Sequence, residues 1–281
     1  MGSIVTKDIK KISFRPLILS LFIVLLIATL IDYPLSQAVV NRQSMIGIIG
    51  ANYGQIVAYV ALLTGGMLLI SHKGMHLFAG CLAIIAAVIM NISDGYNYGV
   101  AHYQLIFALF GVGLNIGLSL FLVRWIKCHH LDTRQTAYFL ISAVLLQVIV
   151  ITILKEIMTR PRMIALLNYP QLSFQPWYVC NLDDKQAWLT IVNSSDYLKS
   201  FPSGHSGAAA MSFAIATVFA MGCKSKQRFY YASALLYTAM IMLTRIRVGA
   251  HFLSDTSVGA LIGIVSVMLM YHVCLAKQRK E

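Results

Sequence analysis

Three short groups of residues combine cations, histidines and a carboxylate in spacings that suit the transfer of a phosphoryl group. The first group runs from Lys155 to Arg162, the second from Phe201 to His205, and the third from Thr244 to Asp255. Each group falls at the end of an apolar segment that is long enough to span a bilayer. Fixed cations can hold phosphoryl oxygens, and a histidine can attack phosphorus or donate a proton. These residues therefore predict phosphoryl transfer from a molecule at a membrane edge.

The third group contains the candidate nucleophile. His251 and Asp255 are four residues apart, which on a helix would place them on one face. A carboxylate beside one imidazole nitrogen fixes the tautomer and leaves the other nitrogen as the nucleophile. Arg245 offers a planar fork that can bind two phosphoryl oxygens at once. A capping aspartate beside an interfacial histidine is the structural alternative, and an arginine at this spacing favours the functional interpretation.

The second group, Pro202-Ser203-Gly204-His205, stands just before an apolar segment that begins near residue 206. Serine is a common cap at a helix start, and this is its structural interpretation. The same helix start offers N–H groups and a positive dipole end, which together bind anions. Gly204 lets the backbone approach a ligand closely. His205 is placed to give a proton to a departing oxygen, so we expect a phosphate-binding turn with an adjacent proton donor.

The first group ends an apolar segment near Lys155. Pro161 disfavours helical geometry at Arg160, so we expect the chain to turn there and to bring Lys155 and Arg162 toward one point. Two cations that converge on one point are typical of a phosphate site. Arg160 is left open between a site residue and a cation that snorkels to the membrane edge.

Together the three groups resemble the signature of the type 2 phosphatidic acid phosphatase (PAP2) superfamily of membrane lipid phosphatases, which is related to bacterial acid phosphatases and vanadium haloperoxidases. That signature is a lysine, six residues and arginine-proline; then proline-serine-glycine-histidine; then serine-arginine, five residues, histidine, three residues and aspartate. Every ionisable position is present in this chain, while Met163 replaces the proline of the first group and Thr244 replaces the serine of the third. The resemblance covers about residues 77–281.

The resemblance implies a role for each residue. His251 would attack phosphorus and become a phosphohistidine, Asp255 would orient it, and His205 would protonate the leaving oxygen. No metal and no cofactor would be needed, because fixed positive charge can replace the metal of many phosphoryl-transfer sites. The implied phosphate-binding residues are Lys155, Arg162, Ser203, Gly204 and Arg245.

The composition places these groups in an integral membrane protein. Of the 281 residues, 58% are hydrophobic and 11% are charged, with a mean hydropathy of +0.74, whereas a soluble domain carries roughly 25% charged residues. We expect an all-α bundle, with two added spans in residues 1–76 and a six-helix phosphatase core in residues 77–281. The stretch 34–50 is predicted to lie at the surface. The eight expected spans are 15–33, 52–70, 76–91, 103–124, 137–155, 206–222, 229–244 and 256–275.

The net charge of +12 is interpreted as membrane topology rather than as affinity for nucleic acid. By the positive-inside rule, the spans place 14 of the 22 Lys and Arg in the cytoplasm together with both termini, and leave the three groups outside. Outer cations are unusual, which supports functional roles for Lys155 and Arg162. The expected location is the cell membrane, cytoplasmic if bacterial. The inner cations are Lys7, Lys10, Lys11, Arg15, Lys73, Arg124, Lys127, Arg134, Lys224, Lys226, Arg228, Lys277, Arg279 and Lys280.

Other sequence features are less specific. Aromatic residues between 163 and 201 are equally typical of a membrane–water interface and of a loop that selects a substrate. The pairs Gly113-x-x-x-Gly117 and Gly259-x-x-x-Gly263 predict close contacts between helices.

A lipid phosphate or pyrophosphate phosphohydrolase, acting on a phosphorylated membrane lipid at the outer face, is the leading functional hypothesis. A lipid-linked phosphotransferase would use the same phosphohistidine with an acceptor other than water. A non-catalytic protein that binds anionic lipids is the third alternative, although binding alone does not need an acid and a nucleophile. The sequence does not distinguish among phosphatidic acid, phosphatidylglycerophosphate, polyprenyl pyrophosphate and lipid A, and it does not indicate the oligomeric state.

Overall fold

A computed structural model describes residues 15–98 and 102–276 of the chain. The described residues form an all-α bundle without a strand. Short turns of 3-10 or π-helix lie at Ser195–Leu198, Lys224–Lys226 and His272–Ala276. The α-helices are α1 (Arg15–Val39), α2 (Met45–Tyr53), α3 (Ile56–Leu69), α4 (Met75–Tyr98), α5 (Gln104–Cys128), α6 (Thr133–Met158), α7 (Met163–Asn168), α8 (Lys185–Leu189), α9 (Gly204–Ala209), α10 (Ser212–Gly222), α11 (Gln227–Arg247) and α12 (Leu253–Tyr271).

Eight segments of the described chain are long and apolar enough to cross a membrane, which confirms the expected number of spans and the all-α fold class. Two of these segments combine consecutive helices, because α2 continues into α3 and α9 continues into α10. On the outward faces of α1, α4 and α5, large apolar side chains such as Leu26, Ile89 and Leu109 are exposed. This pattern is compatible with a multi-pass membrane protein whose outer helices meet lipid.

The stretch between the first two spans differs from its prediction. Both α1 and α2 extend into residues 34–50, and Ser36 and Gly50 are buried. A Cβ atom added to Gly50 would lie 2.3 Å from the Thr244 hydroxyl of α11. The prediction of a surface segment therefore holds only in part: residues 41–43 are exposed between the two helices, whereas small residues let α2 pack tightly against α11.

The core is centred on α3, α6, α10 and α12. Buried alanines such as Ala210 and Ala214 let the neighbouring helices approach closely, and Phe139 and Leu140 of α6 pack beside them. Helix α3 precedes residue 76 and yet shares this core. The division of the chain into an addition and a phosphatase core stays a prediction.

The three sequence groups lie together at one end of the bundle, here called the motif end, where α6 and α11 finish and where α9 and α12 begin. The opposite end, here called the basic end, carries cations of the connections between helices, including Lys73, Lys127 and Lys226. There the hydroxyl of Tyr138 lies 2.5 Å from Nδ1 of His76. This separation agrees with the expected topology, although Lys7, Lys10, Lys11, Lys277, Arg279, Lys280 and both termini lie outside the described residues.

The two glycine pairs have different surroundings. A Cβ atom on Gly259 would lie 2.2 Å from the carbonyl oxygen of Ser203, and one on Gly263 would lie 2.6 Å from the carbonyl oxygen of Gly207. The predicted close contact is thus confirmed for α12 against α9. The prediction for Gly113 and Gly117 is wrong, because a Cβ atom at either position would have no neighbour within 4 Å in the described chain.

Gly259→Ala should lower the thermal stability of the purified protein, because its new methyl group would meet backbone rather than a movable side chain. Overpacking of this kind costs about 1–3 kcal/mol, which corresponds to a fall in Tm of at least about 2 °C. Gly113→Ala is the matched control, and it should leave Tm unchanged or slightly raised, since alanine favours the helix. Differential scanning fluorimetry in detergent measures both, and equal Tm values for the two variants would contradict the packing of α12 on α9.

Candidate active site

The end of α6 and the turn after it set the position of the first group. Thr159 adopts a left-handed conformation with φ of 44° and ends the helix, which provides the predicted turn. The N–H of Ser200 then donates to the carbonyl of Arg160 at 3.0 Å, and the N–H of Arg162 donates to the carbonyl of Tyr197 at 2.8 Å. These backbone bonds tie the turn to the chain that leads into the second group.

His251 lies in the loop between α11 and α12, so it does not share a helical face with Asp255 as predicted. Nδ1 of His251 lies 2.6 Å from the carbonyl oxygen of Ser200 and 3.9 Å from Oδ2 of Asp255. A carbonyl oxygen only accepts, so Nδ1 carries the proton. In the neutral ring, Nε2 then has the lone pair that a nucleophile needs.

Asp255 lies in the first turn of α12 and bonds both the loop that contains His251 and the chain that leads into the second group. Its Oδ2 accepts from the N–H of Phe252 at 2.8 Å and from the hydroxyl of Ser200 at 2.5 Å. Ser200 therefore bonds Asp255 with its side chain and His251 with its carbonyl. The Asp255 carboxylate lies within ion-pair distance of His251 but shares no hydrogen bond with it among the described residues, so its role in orienting the ring stays a prediction.

His205 is the second residue of α9 and is buried. Its Nε2 donates to the carbonyl oxygen of Ala51 in α2 at 3.0 Å, so a helix outside the three groups fixes the ring orientation. Ser203 caps α9 by accepting from the N–H of Ser206 at 3.3 Å. The structural role predicted for Ser203 is therefore present, and its own N–H donates to the carbonyl of Asp255 at 2.9 Å.

The cations expected to bind phosphate approach this region from three elements. A Cβ atom on Gly204 would lie 3.8 Å from Nζ of Lys155, so the ammonium group of α6 neighbours the start of α9. Arg245, at the end of α11, is 2% exposed. Arg162 follows the turn after α6, and Nη2 of its guanidinium donates to Asp196 at 2.8 Å. The buried Nε of Arg162 has no hydrogen-bond partner among the described residues.

A cavity of about 550 Å³ opens beside Arg162 and Arg245, whereas Lys155, His205 and His251 do not contribute to its wall. Arg162, Arg245 and Ala51 contribute to its wall, as do Asp196 and Tyr197 of the connecting loop. This volume lies within the range of about 300–1,000 Å³ that is usual for ligand pockets. The loop at 163–201 therefore forms part of the cavity wall, which favours the prediction of a substrate-selecting loop over a purely interfacial one.

Arg160, which the sequence left open, does not snorkel. It is 1% exposed, and its guanidinium bonds Asp32 of α1 at 3.0 Å and also bonds Asp255. The rings of Phe174 and Phe252 face it, with centroids 5.2 and 4.4 Å from Cζ. The N–H groups of Arg160 thus bond two buried carboxylates, the Ser254 hydroxyl and the Gln175 carbonyl, and Arg160 does not line the cavity.

The electrostatic surroundings of His251 favour its neutral form. Burial lowers the pKa of this imidazole well below the usual 6.5, and the positive charges of Arg162, Lys155 and Arg245 lower it further. A histidine must be neutral to attack phosphorus, so this shift suits a nucleophile. Within the described chain, no three His, Cys, Asp or Glu side chains are grouped so that they could hold a metal ion.

The sequence reasoning missed Asp32, Ser200, Ala51 and Phe174. Asp32 had a detectable signal, because a carboxylate within an apolar spanning segment is a functional candidate by default. Ala51 and Ser200 had none, because each contacts a histidine through a backbone carbonyl, which any residue type could supply.

A family model described as the PAP2 superfamily matches residues 136–279, just over half of the chain. The matched range includes all three groups. No curated protein and no solved structure matches the chain.

In the ligand-free protein, His251 should titrate below pH 6.5, because burial and nearby cations disfavour its charged form. Arg162→Met removes the charge that lowers this pKa most and should raise the pKa of His251 toward its usual value. Ring-labelled histidine NMR in detergent measures both, with His251→Gln identifying the resonance. A titration at or above pH 6.5, or a lower pKa in Arg162→Met, would contradict the electrostatics described for this site.

Proposed function

This chain belongs to the PAP2 superfamily, and from that premise we propose that it is an integral membrane phosphatase that hydrolyses a lipid phosphate or pyrophosphate through a phosphohistidine. The observation that carries the proposal is the bond from Nδ1 of His251 to the Ser200 carbonyl. That bond leaves Nε2 with a lone pair in a ring surrounded by cations. Neither a lipid-binding protein nor a scaffold requires a histidine prepared in this way.

In the first step, Nε2 of His251 attacks phosphorus, a P–N bond forms, and the P–O bond to the lipid breaks. Positive charge develops on the ring, and it is offset through Ser200 by the carboxylate of Asp255. The Ser200 carbonyl accepts from Nδ1 of His251 and so keeps that nitrogen protonated while Nε2 reacts.

Lys155, Arg162 and Arg245 hold the phosphoryl oxygens, together with Ser203 and the N–H group of Gly204. The Nε of Arg162 has no hydrogen-bond partner among the described residues, and the forked guanidinium of this residue suits two phosphoryl oxygens at once. Electrostatic stabilisation by preorganised donors is usually the largest catalytic contribution in phosphoryl transfer. We propose that these fixed charges act without a metal ion.

His205 supplies the proton for the leaving oxygen. Its Nε2 is bonded to the Ala51 carbonyl, so Nδ1 is the nitrogen that exchanges a proton. The ring takes up this proton when the negative charge of the bound phosphate offsets the surrounding cations, and it passes the proton to the leaving oxygen. Water then attacks the phosphohistidine, the P–N bond breaks, and inorganic phosphate leaves. His205 takes up a proton from that water as general base.

We place the site at the outer face of the cell membrane, with both termini in the cytoplasm. Cations of the helix connections at the basic end support this orientation by the positive-inside rule. A site at the end of spanning helices lies at the depth of a lipid phosphate, which supports a membrane lipid as the substrate. The cavity provides room for a head group next to Arg162 and Arg245, two of the cations proposed to hold the phosphoryl group.

A lipid-linked phosphotransferase remains the second candidate, because the same phosphohistidine serves any acceptor that replaces water. The cavity wall supports a transferase because its Asn97, Asn193 and Tyr197 side chains can hydrogen-bond an acceptor molecule. Phosphate release from lipid without an added acceptor identifies a hydrolase, and dependence on an acceptor identifies a transferase.

His251→Ala should abolish phosphate release by the purified protein from a panel of lipid phosphates and pyrophosphates in detergent, because it removes the attacking nitrogen. Wild-type activity should survive EDTA and be inhibited by vanadate, which mimics the transition state on a histidine.

His272→Ala is the control for the loss of a histidine, since His272 is exposed at the basic end, and it should keep wild-type rates. Activity within tenfold of wild type in a folded His251→Ala protein would remove the covalent mechanism.

His205→Ala tests the proton donor by the basicity of the leaving group. An alcohol leaves a monoester as a strongly basic alkoxide, whereas a phosphate group with a pKa near about 6 leaves a pyrophosphate. General-acid catalysis contributes roughly a hundred- to ten-thousand-fold, so His205→Ala should lose about that on a monophosphate and much less on a pyrophosphate. Equal losses on both substrates, with chemistry limiting each, would make His205 a phosphate-binding or structural residue.

A further inference from the structure

A carboxylate from the first spanning helix bonds residues that support the candidate site. Asp32 of α1 is 2% exposed, and it lies more than one hundred residues before the range that matches the family model. Its Oδ1 accepts from the N–H of Ser254 at 2.9 Å, and its Oδ2 accepts from Nη2 of Arg160 at 3.0 Å and from the Ser254 hydroxyl. Asp32 therefore holds the first turn of α12 and the turn after α6 at once.

Arg160 joins this carboxylate to Asp255. Its Nη1 bonds Asp255 and lies 2.8 Å from the hydroxyl of Ser254, while its Nε donates to the carbonyl of Gln175 at 2.8 Å. One guanidinium thus lies between two buried carboxylates, so that Asp32, Arg160 and Asp255 form a chain of alternating charge. We call these three residues the charge chain.

The charge chain continues to the nucleophile through Ser200. Asp255 accepts from the Ser200 hydroxyl at 2.5 Å, and the Ser200 carbonyl bonds Nδ1 of His251 at 2.6 Å. Arg160 also fixes Ser200 directly, because its carbonyl accepts from the Ser200 N–H at 3.0 Å. A continuous series of hydrogen bonds and ion pairs between buried groups therefore connects Asp32 of α1 to the His251 ring.

We propose that Asp32 and Arg160 are positioning residues for His251, and that α1 is a working part of the catalytic unit rather than an added anchor. Asp32 shares the Arg160 guanidinium with Asp255, which keeps Asp255 aligned on Ser200 and the His251 ring aligned for attack. The two carboxylates exceed the single cation by one negative charge, which favours the positive charge that develops on the ring. This inference rests on the proposed function.

Asp32 and Arg160 should act on the rate of chemistry and not on substrate binding. Both side chains are buried, and they bond each other, Ser254, Asp255 and the Gln175 carbonyl, so neither is available to hold a phosphoryl oxygen. A misplacement of about 1 Å in a reacting group lowers rates by up to about a hundredfold. A purely structural role for Asp32 would instead lower stability and change kcat and KM together.

The test is steady-state kinetics of Asp32→Asn with a lipid phosphate substrate. Asparagine keeps an oxygen that can accept from Ser254 but loses the charge that balances Arg160. We expect kcat to fall about tenfold to a hundredfold, with KM and competitive inhibition by inorganic phosphate within about twofold of wild type. Wild-type kcat in the folded variant, or a rise in KM with unchanged kcat, would overturn the proposal.

Ser36→Ala is the matched control in α1. Ser36 lies one turn beyond Asp32 and is fully buried, and its hydroxyl has no hydrogen-bond partner among the described residues. The variant therefore disturbs the packing of α1 without touching the charge chain, and it should keep wild-type kcat. A kcat loss in Ser36→Ala equal to that in Asp32→Asn would assign the effect to packing and overturn the proposal.

A milder variant keeps the proposal testable if Asp32→Asn does not fold. Ser254→Ala removes the hydroxyl between Asp32 and Arg160 and leaves every charge in place, so it should lower kcat several-fold with an unchanged KM. Wild-type kcat in this variant would overturn the proposal.

The His251→Ala variant distinguishes failure of the positioning role of Asp32 from failure of the phosphohistidine mechanism. If His251→Ala is inactive while Asp32→Asn behaves as wild type, the positioning role fails and the phosphohistidine mechanism stands. If His251→Ala is active, the proposed function itself fails.

Discussion

A guanidinium that is removed from water must be matched by hydrogen-bond acceptors and negative charge, and Arg160 imposes this requirement on the motif end of the bundle. Desolvation of a charge costs several kcal/mol and is offset only by good geometry. The protein meets this cost with carboxylates from the first and last spanning helices, a loop carbonyl and two aromatic rings. Helices that are distant in sequence are thereby fixed around one point.

The cations of the motif end fall into two classes that the sequence alone cannot separate. Arg160 is engaged with buried carboxylates, whereas Arg162 and Arg245 line the cavity and Lys155 neighbours the start of α9. The same cations lower the pKa of His251, so the groups proposed to bind phosphate also keep the proposed nucleophile neutral. Bound phosphate would partly neutralise them and favour the positive charge that develops on the ring.

Much of the fold could be predicted from the sequence, because spanning segments must be long, apolar and helical. The eight spans and the gathering of the three groups at one end follow from that constraint. The position of His251 could not be predicted, because α12 begins only at Leu253 and leaves His251 in the preceding loop. There the hydrogen bond of His251 goes to the Ser200 carbonyl, and the Ser200 hydroxyl bonds Asp255. The contribution of α2 could not be predicted either, because His205 bonds a backbone carbonyl of Ala51, and any residue type carries such a carbonyl. Asp32 was visible as a carboxylate in an apolar segment, but only the folded chain shows that its partner is Arg160.

Direct trapping of the covalent intermediate tests the central claim. The purified protein would be mixed with a lipid phosphate, quenched in alkali within one turnover to preserve an acid-labile P–N bond, digested and analysed by mass spectrometry. The proposed mechanism predicts one added phosphoryl group on the peptide that contains His251, and its disappearance as phosphate is released. A turning-over enzyme with no phosphoryl group on that peptide, or with the group on His205 instead, would contradict it.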